Sequence, residues 1–220
     1  MRQLLSTLSL VAFIQYFSAT VQAQIQPSSR LPSDPVQQVI AAKWMTNYPD
    51  GNFYPERVIS RAELASILVK AFELNRRQAI KKENLVVSDV PASYWAFNDI
   101  QIVLKTDIMK GYRGNMFFPN QRVTRAEGLA IFAQAYGVFQ FPDDTVNEIL
   151  ASHPDAGLIP AWAKRAIATV VAEQLVNTDP QGNIFPLRPM TRGDMAFVLS
   201  KYLQRQNKLP ETPEAPPAPK

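Results

Sequence analysis

Apolar residues recur at helical spacing in two stretches of this 220-residue chain, and the second stretch repeats the first at an offset of 67 residues. Each stretch follows the i, i+3, i+4, i+8 pattern of an amphipathic helix, at Ile100, Val103, Leu104 and Ile108 and again at Ile167, Val170, Val171 and Leu175. A shorter apolar stretch, from Val36 to Trp44, precedes them. The sequence contains no sustained alternation of apolar and polar residues, so we expect an almost wholly helical protein.

Three further helices begin at near-copies of one motif, ISRAELASIL, VTRAEGLAIF and MTRGDMAFVL. Before each copy come a Gly-Asn pair, apolar or aromatic residues, a proline and a second arginine; the glycines are Gly51, Gly114 and Gly182, and the second arginines are Arg57, Arg122 and Arg188. The sequence therefore predicts an all-α fold. Because one helix pair cannot bury its apolar stripe alone, three tandem helix-loop-helix repeats would pack together as a pseudo-threefold helical bundle.

The repeats divide the chain into predicted segments. Repeat one spans residues 34–74, repeat two 86–138 and repeat three 153–205. Trp-Ala pairs introduce the first helix of repeats two and three, at Trp95 and Trp162, whereas repeat one is truncated at its front and lacks this entry.

The segments outside the repeats are predicted to be processed or extended. Residues 1–23 combine an early arginine, an apolar run and the cleavage-like Val-Gln-Ala, which is typical of a secretory signal peptide. Residues 24–33 are an N-terminal linker, and residues 206–220 are a proline-rich tail expected to be poorly ordered. After signal cleavage no segment is long and apolar enough to span a membrane, so we expect an exported protein.

Composition narrows the function classes. The chain has 23 basic and 19 acidic residues, and the basic residues are too dispersed for a nucleic-acid stripe. It has no cysteine, which excludes disulfides and thiolate metal sites, and His153 is its one histidine. The sequence has no G-x-S-x-G motif and no phosphate-cradling glycine loop. We therefore expect no catalytic residues, no metal site and no cofactor.

The repeated motif has the features of a helix N-terminus. Ser60 with Glu63, and Thr124 with Glu127, form the pattern of a capping box, in which the hydroxyl and the glutamate satisfy two backbone N–H groups. Such a cap stabilises its helix by about 1 kcal/mol. Thr191 and Asp194 predict a weaker box, because aspartate is one methylene shorter.

Capping does not explain the arginine in each motif. Arg61, Arg125 and Arg192 occupy the first helical position, where a cation faces the positive end of the helix dipole. Two tasks could justify this position, and the sequence leaves both open. The arginine could form an ion pair with a carboxylate of a neighbouring repeat, or it could capture an anion together with the helix N–H groups.

Aromatic residues offer surfaces for a core or for a sugar. Trp95 and Trp162, which open amphipathic helices, are candidate glycan contacts. For both, core packing is favoured over ligand stacking, and the same holds for Trp44. Tyr48 and Tyr112 flank glycine turns and are the better candidates for exposed contact.

The stretches NYPDGNFYPERVISRAE and GYRGNMFFPNQRVTRAE resemble the signature of S-layer homology domains, and the similarity covers roughly residues 34 to 205. The resemblance implies a spindle-like helical module that attaches exported proteins to cell-wall glycans, either peptidoglycan-linked or secondary cell-wall polysaccharide. It also implies roles for motif residues. Arg61, Arg125 and Arg192 would contribute to ligand grooves between repeats, and Gly51, Gly114 and Gly182 would allow close approach of the sugar.

Repeat three departs from this pattern, since its motif contains Gly193 and Asp194 and its loop lacks the tyrosine of the other two. We therefore expect the groove using the repeat-two motif to be the most reliable. The sequence as a whole predicts a non-catalytic module for wall attachment in the cell envelope, either periplasm or cell surface, that binds an anionic glycan. The alternative is a structural envelope protein whose repeats and tail bind protein partners.

Overall fold

The computed structural model describes residues 33–76 and 83–207, in which the regular secondary structure is almost wholly helical. The described residues form seven α-helices: α1 Pro35–Ala41, α2 Arg61–Ala71, α3 Phe97–Lys105, α4 Arg125–Tyr136, α5 Asp143–Leu150, α6 Lys164–Ala172 and α7 Arg192–Gln206. In this part of the chain, extended backbone pairs only as isolated bridges. The predicted all-α class is confirmed.

Several predicted segments lie outside the described residues. These are the signal peptide, the linker up to residue 32 and the tail beyond residue 207. The repeat boundaries stay a prediction. Within the described ranges, the helices are all too short or too polar to cross a membrane.

Helices of different repeats pack on one another in a closed order. The second helix of each repeat packs on the first helix of the next, so that α2 contacts α3 and α4 contacts α6. Helix α7 then contacts α1, which joins the last repeat to the first. Helix α5, which the sequence analysis missed, lies between repeats two and three and packs on α6. Its signal was the apolar spacing of Val146, Ile149 and Leu150 behind two first-turn aspartates.

Three backbone hydrogen bonds close a ring at the centre of the bundle. The N–H of Ile59 donates to the carbonyl of Met190 (3.0 Å), that of Met190 to Val123 (2.9 Å) and that of Val123 to Ile59 (3.4 Å). These residues occupy the same position in the three motifs, immediately before the capping residue, and all are buried. The ring is the clearest expression of the pseudo-threefold arrangement.

The apolar faces of the second helices form the core around this ring. Leu64 and Leu68 of α2, Leu129 and Phe132 of α4, and Met195 and Leu199 of α7 are fully buried. Burying each such side chain contributes about 1.5–3 kcal/mol. At the far end, Phe72 stacks on Tyr202 with ring centroids 4.7 Å apart and meets Phe132 edge-on at 5.3 Å. The second helices are therefore held together at both ends.

Candidate functional site

All three capping boxes form. The N–H of Ser60 donates to Glu63 at 2.8 Å, and the N–H of Thr124 donates to Glu127 at 2.7 Å. The predicted weaker box has similar geometry, since the N–H of Thr191 donates to Asp194 at 2.9 Å. In each box the hydroxyl also accepts the N–H of the acidic residue.

The loop of the next repeat covers the start of each second helix. The N–H groups of the first two residues of α2, Arg61 and Ala62, donate to Gln121 and Pro119 at 2.9 Å. The same pairing joins α4 to the loop of repeat three and α7 to the loop of repeat one. These amides are already hydrogen-bonded, so they are not available for the anion capture that the sequence left open as one of two tasks.

The side chains of the three motif arginines also connect each second helix to the loop of the next repeat. Arg61 donates through Nε to the carbonyl of Phe117 and through Nη2 to that of Lys110, both at 2.8 Å. Arg192 donates in the same way to Phe53 (2.9 Å) and Thr46 (2.6 Å). Each arginine therefore joins its helix to the loop of the next repeat in the cycle. The exposed fractions of the residues are only 6% for Arg61, 1% for Arg125 and 7% for Arg192.

Arg125 makes more bonds than its two counterparts. Its Nε donates to Ile184 (2.6 Å) and its Nη2 to the carbonyl of Asn177 (2.7 Å), while Nη1 lies 2.7 Å from Asp194. Of the two tasks that the sequence left open, an ion pair with a neighbouring repeat is thus confirmed for Arg125. Arg61 and Arg192 bind backbone carbonyls instead.

Burial and charge act against each other in this ion pair. Burial lowers the pKa of Arg125 below its ordinary value, although the negative charge of Asp194 opposes that change. Burial also disfavours the charged form of Asp194. The charge of Arg125 and hydrogen bonds from Asn177 and Thr191 outweigh it, so the pKa of Asp194 lies below its ordinary 3.8. Burial lowers the pKa of Arg61 as well.

Arg61 and Arg192 keep one guanidinium nitrogen in contact with solvent. Among the described residues, the Nη1 groups of these two arginines have no hydrogen-bond partner. No buried side-chain nitrogen or oxygen in these ranges lacks a partner, so both Nη1 groups must reach the surface. Arg125, by contrast, uses Nη1 in its ion pair.

Aromatic rings distinguish the surroundings of the three arginines. The guanidinium of Arg61 lies 4.9 Å from the ring centre of Tyr112 and 4.6 Å from that of Phe117. Arg192 lies over Tyr48 at 4.7 Å and Phe53 at 4.4 Å. In the third loop, the corresponding positions hold Asp179 and Ile184.

The two predicted contact tyrosines differ in exposure. Tyr112 is exposed, whereas Tyr48 is half-buried. Arg57 also lies over the ring of Tyr48, at 4.6 Å, and the Tyr48 hydroxyl donates to Glu63.

Trp95 and Trp162 lie on the surface, with exposed fractions of 62% and 64%. The favoured core packing was therefore wrong for both. The physical reason is that Ala96 and Ala163, the alanines of the Trp-Ala pairs, take the buried positions. Trp44 is half-buried and packs against the core, stacked on Tyr202 at 5.8 Å.

Glycine is required in the loops by backbone conformation. Gly51, Gly114 and Gly182 have φ values of +84°, +76° and +90°, which other residues rarely adopt. A Cβ on Gly51 would meet nothing within 4 Å. The positive φ, and not crowding by protein, therefore explains this glycine.

Each exposed tryptophan borders an open groove between repeats. Groove A has a volume of about 560 Å³ and lies between repeats one and two; its side chains include Arg57, Glu63, Tyr94, Trp95, Asn120 and Arg122. Groove B, of about 680 Å³, runs from the loop of repeat two to the start of repeat three; its side chains include Arg61, Lys110, Tyr112, Glu127, Trp162 and Arg165. At the position of these tryptophans, repeat one has Leu31, which lies outside the described residues.

Several groove A residues have no role that the sequence indicates. Arg57 and Arg122 were visible as a repeated second arginine, but spacing alone did not place them in a groove. Tyr94 and Asn120 are joined by a hydrogen bond of 3.1 Å, which spans 26 residues and has no local signal. In residues 33–76 and 83–207, no three acidic or histidine side chains cluster closely enough to hold a metal ion.

Comparison with known proteins places these features in a family. The model of the S-layer homology domain matches residues 28–65, 88–127 and 154–196. The surface-layer 125 kDa protein of Lysinibacillus sphaericus is 28% identical over 203 residues, covering 91% of this chain and 16% of that protein. The cellulosome-anchoring protein of Acetivibrio thermocellus is 27% identical over 169 residues, covering 74% of this chain and 36% of that protein.

An enzyme is also among the relatives. The amylopullulanase of Thermoanaerobacterium thermosulfurigenes is 24% identical over 176 residues, but this chain covers only 9% of it. The chain thus spans a minor part of each of these relatives. Because the three segments matched by the family model make up more than half of its residues, the chain belongs to the S-layer homology domain family.

Proposed function

We propose that this chain is a non-catalytic attachment module that holds an exported protein on an anionic cell-wall glycan. The glycan would be peptidoglycan-linked or a secondary cell-wall polysaccharide, and the protein would lie in the cell envelope. Membership of the S-layer homology family supports this, as do relatives named as a surface-layer protein and a cellulosome-anchoring protein.

The observation that carries the proposal is the pair of exposed tryptophans. Trp95 and Trp162 hold equivalent positions in two repeats, and each borders a groove lined by arginine. An exposed indole is costly in water but presents a flat apolar face, on which the apolar face of a sugar ring can stack. We propose Trp95 and Trp162 as the stacking platforms of grooves A and B.

The motif arginines differ in their roles in this proposal. Arg61 lines groove B and can donate to a glycan through Nη1, whereas Arg192 also keeps Nη1 in contact with solvent but lines neither groove. Arg125 is committed to Asp194 and to the loop of repeat three, so its role is to stabilise the fold. We therefore propose grooves A and B as the two binding sites. We do not propose a third groove built on Arg125 of the repeat-two motif. Tyr112 extends groove B, and the loop glycines set the shape of the rims.

Sedimentation with isolated sacculi tests the proposal. We expect the purified protein to sediment with sacculi, and a Trp95→Ala/Trp162→Ala variant to lose at least about tenfold in affinity, because each stacking contact contributes on the order of 1 kcal/mol. A Val86→Ala/Leu158→Ala variant is the matched control, since it removes two exposed apolar side chains outside both grooves.

Two results would contradict the proposal. If the double tryptophan variant sediments like the control while retaining its helical circular dichroism, the grooves are not the attachment site. If wild-type protein sediments neither with native sacculi nor with sacculi stripped of attached polymer by acid, the scaffold alternative replaces wall binding.

A further inference from the structure

The second arginine of repeat three, Arg188, has different surroundings from its counterparts in repeats one and two. Arg188 lies 2.9 Å from Oδ1 and 3.1 Å from Oδ2 of Asp194, a buried carboxylate that also pairs with Arg125. Arg57 and Arg122 are exposed and, within the described residues, form no ion pair. Both line groove A. The second arginines of repeats one and two therefore both place a cation without an ion-pair partner in groove A.

The one carboxylate in the lining of groove A is already occupied. Oε2 of Glu63 accepts the N–H of Ser60 at 2.8 Å as part of the capping box, and Oε1 accepts the hydroxyl of Tyr48. These bonds hold Glu63 against its own helix. Groove A thus presents two guanidinium groups to solvent with one constrained carboxylate, which gives it a net positive charge.

Groove A also has a neutral donor in a fixed orientation. The hydroxyl of Tyr94 donates to Oδ1 of Asn120 at 3.1 Å. Because the amide oxygen is used in this way, the NH₂ group of Asn120 is left to donate. The ring of Tyr94 lies 5.9 Å from that of Trp95 and lengthens the aromatic surface.

Groove B has cations too, but each has a nearby carboxylate. Lys110 lies 3.8 Å from Asp107, and Arg165 lies 2.8 Å from Asp143. The remaining cation, Arg61, shares the groove with Glu127, which is held in its capping box as Glu63 is in groove A. An anion entering groove B would therefore meet carboxylates at close range, whereas a neutral sugar would find balanced donors and acceptors beside Trp162.

We propose that the two grooves differ in charge selectivity: groove A takes a carboxylated sugar through Arg57, Arg122 and the ring of Trp95, and groove B takes a neutral sugar on Trp162. This inference rests on the proposed function, since it names the sugar class for each groove. It predicts that the wall polymer recognised by the module carries both acidic and neutral residues.

Two oligosaccharides that share N-acetylglucosamine separate the grooves. The neutral probe is chitotetraose, and the carboxylated probe is a hyaluronan tetrasaccharide, in which glucuronic acid alternates with N-acetylglucosamine. The readout is the NMR signal of each indole N–H, assigned with Trp95→Phe and Trp162→Phe variants. We expect the hyaluronan tetrasaccharide to shift the Trp95 signal and chitotetraose to shift the Trp162 signal.

Removing the two arginines isolates the charge contribution. We expect Arg57→Gln/Arg122→Gln to weaken binding of the hyaluronan tetrasaccharide at Trp95 by at least about tenfold, because each arginine makes a charge-assisted hydrogen bond. Binding of chitotetraose at Trp162 should change by less than about twofold, since these arginines lie outside groove B. Arg76→Gln/Arg113→Gln removes the same net charge from exposed positions outside both grooves and should leave both affinities within about twofold of wild type.

The inference is overturned if both probes shift both tryptophans equally, or if the Arg57→Gln/Arg122→Gln variant binds the hyaluronan tetrasaccharide like wild type. It is also overturned if neither probe shifts either signal. Sacculus sedimentation of the same protein sample keeps the two proposals apart. Retention on sacculi together with a negative NMR result would leave wall attachment standing and remove only the division between the grooves.

Discussion

Replacing Arg125 with methionine removes a charge that is almost completely enclosed by protein. Methionine fills much of the same volume, so the change measures the loss of polar contacts more than the loss of packing. The substitution deletes the ion pair with Asp194 and leaves the carbonyl groups of Ile184 and Asn177 without their donor. Both partners of the ion pair are at least 95% buried by side-chain area.

The size of the effect follows from these contacts. Removing one partner of a buried ion pair costs about 3–5 kcal/mol. Asp194 keeps its bonds to Arg188, Asn177 and Thr191, so we expect the lower end, about 3 kcal/mol. A domain of this size is stabilised by about 5–15 kcal/mol in total. The variant should therefore fold but lose a large part of its stability.

Urea unfolding followed by far-UV circular dichroism measures this loss. The control is Arg76→Met, because Arg76 forms an exposed ion pair with Glu73 that should contribute less than about 1 kcal/mol. A double-mutant cycle of Arg125→Met with Asp194→Asn should give a coupling energy of about 1–3 kcal/mol. The same cycle with Arg61→Met should give nearly none, because Arg61 binds the loop of repeat two and not Asp194.

A coupling energy below about 0.5 kcal/mol between Arg125 and Asp194 would refute the argument that this ion pair separates Arg125 from its counterparts. So would an Arg125→Met variant that is as stable as Arg76→Met. Arg125 would then return to the candidates for glycan binding.

Three further predictions concern pH and packing. The lowered pKa of Asp194 means that its stabilising contribution is complete above about pH 4 and is lost as the pH falls below that value. The free energy of unfolding should therefore fall less steeply with decreasing pH in Asp194→Asn than in the wild type. An unchanged slope would contradict this. Burial raises the pKa of Tyr136 to about 12, so stability should fall as the pH rises from about 10 towards 12, and Tyr136→Phe should remove that part of the decline. A Cβ on Gly128 would lie 2.0 Å from the sulfur of Met190, so Gly128→Ala should lower the free energy of unfolding in urea by about 1–3 kcal/mol by forcing the buried Met190 to repack. Gly157→Ala, where a Cβ meets nothing within 4 Å, should be neutral in the same assay.

The sequence predicted the elements that depend on local pattern. Capping residues and apolar spacing lie within a few positions of one another, so the starts of α2, α4 and α7 could be read from Ser60, Thr124 and Thr191. The threefold repetition was visible for the same reason. Helix α5 could not be found in this way because it belongs to no repeat, so the chain contains no second copy that supports its pattern.

The partners of the arginines could not be predicted in this way. Arg61 bonds to a carbonyl 56 residues away and Arg192 to one 139 residues away. Any residue type can supply a backbone carbonyl, so the sequence carries no mark of these acceptors. The same limit applies to Trp95 and Trp162, since helical spacing does not decide whether the residue before a helix or its small neighbour is buried.

The sequence difference between the motif of repeat three and the other two indicated part of this arrangement. From Asp194 in place of glutamate the sequence predicts only a weaker cap. In the structure, the Asp194 carboxylate caps its own helix and also forms ion pairs with Arg125 and Arg188. Asp194 thus distinguishes the surroundings of Arg125 and Arg188 from those of their counterparts in the other repeats.

The hydrogen-bonded ring of Ile59, Val123 and Met190 limits how such a module can grow. Each repeat meets the next through two different faces, and the third meets the first, as the subunits of a cyclic trimer do. A solenoid can add copies at its ends, but a closed ring has no end to extend. Deleting one repeat would expose two complementary faces that only a repeat from another chain could cover. Such a module would therefore be extended by whole groups of three repeats and not by a single repeat.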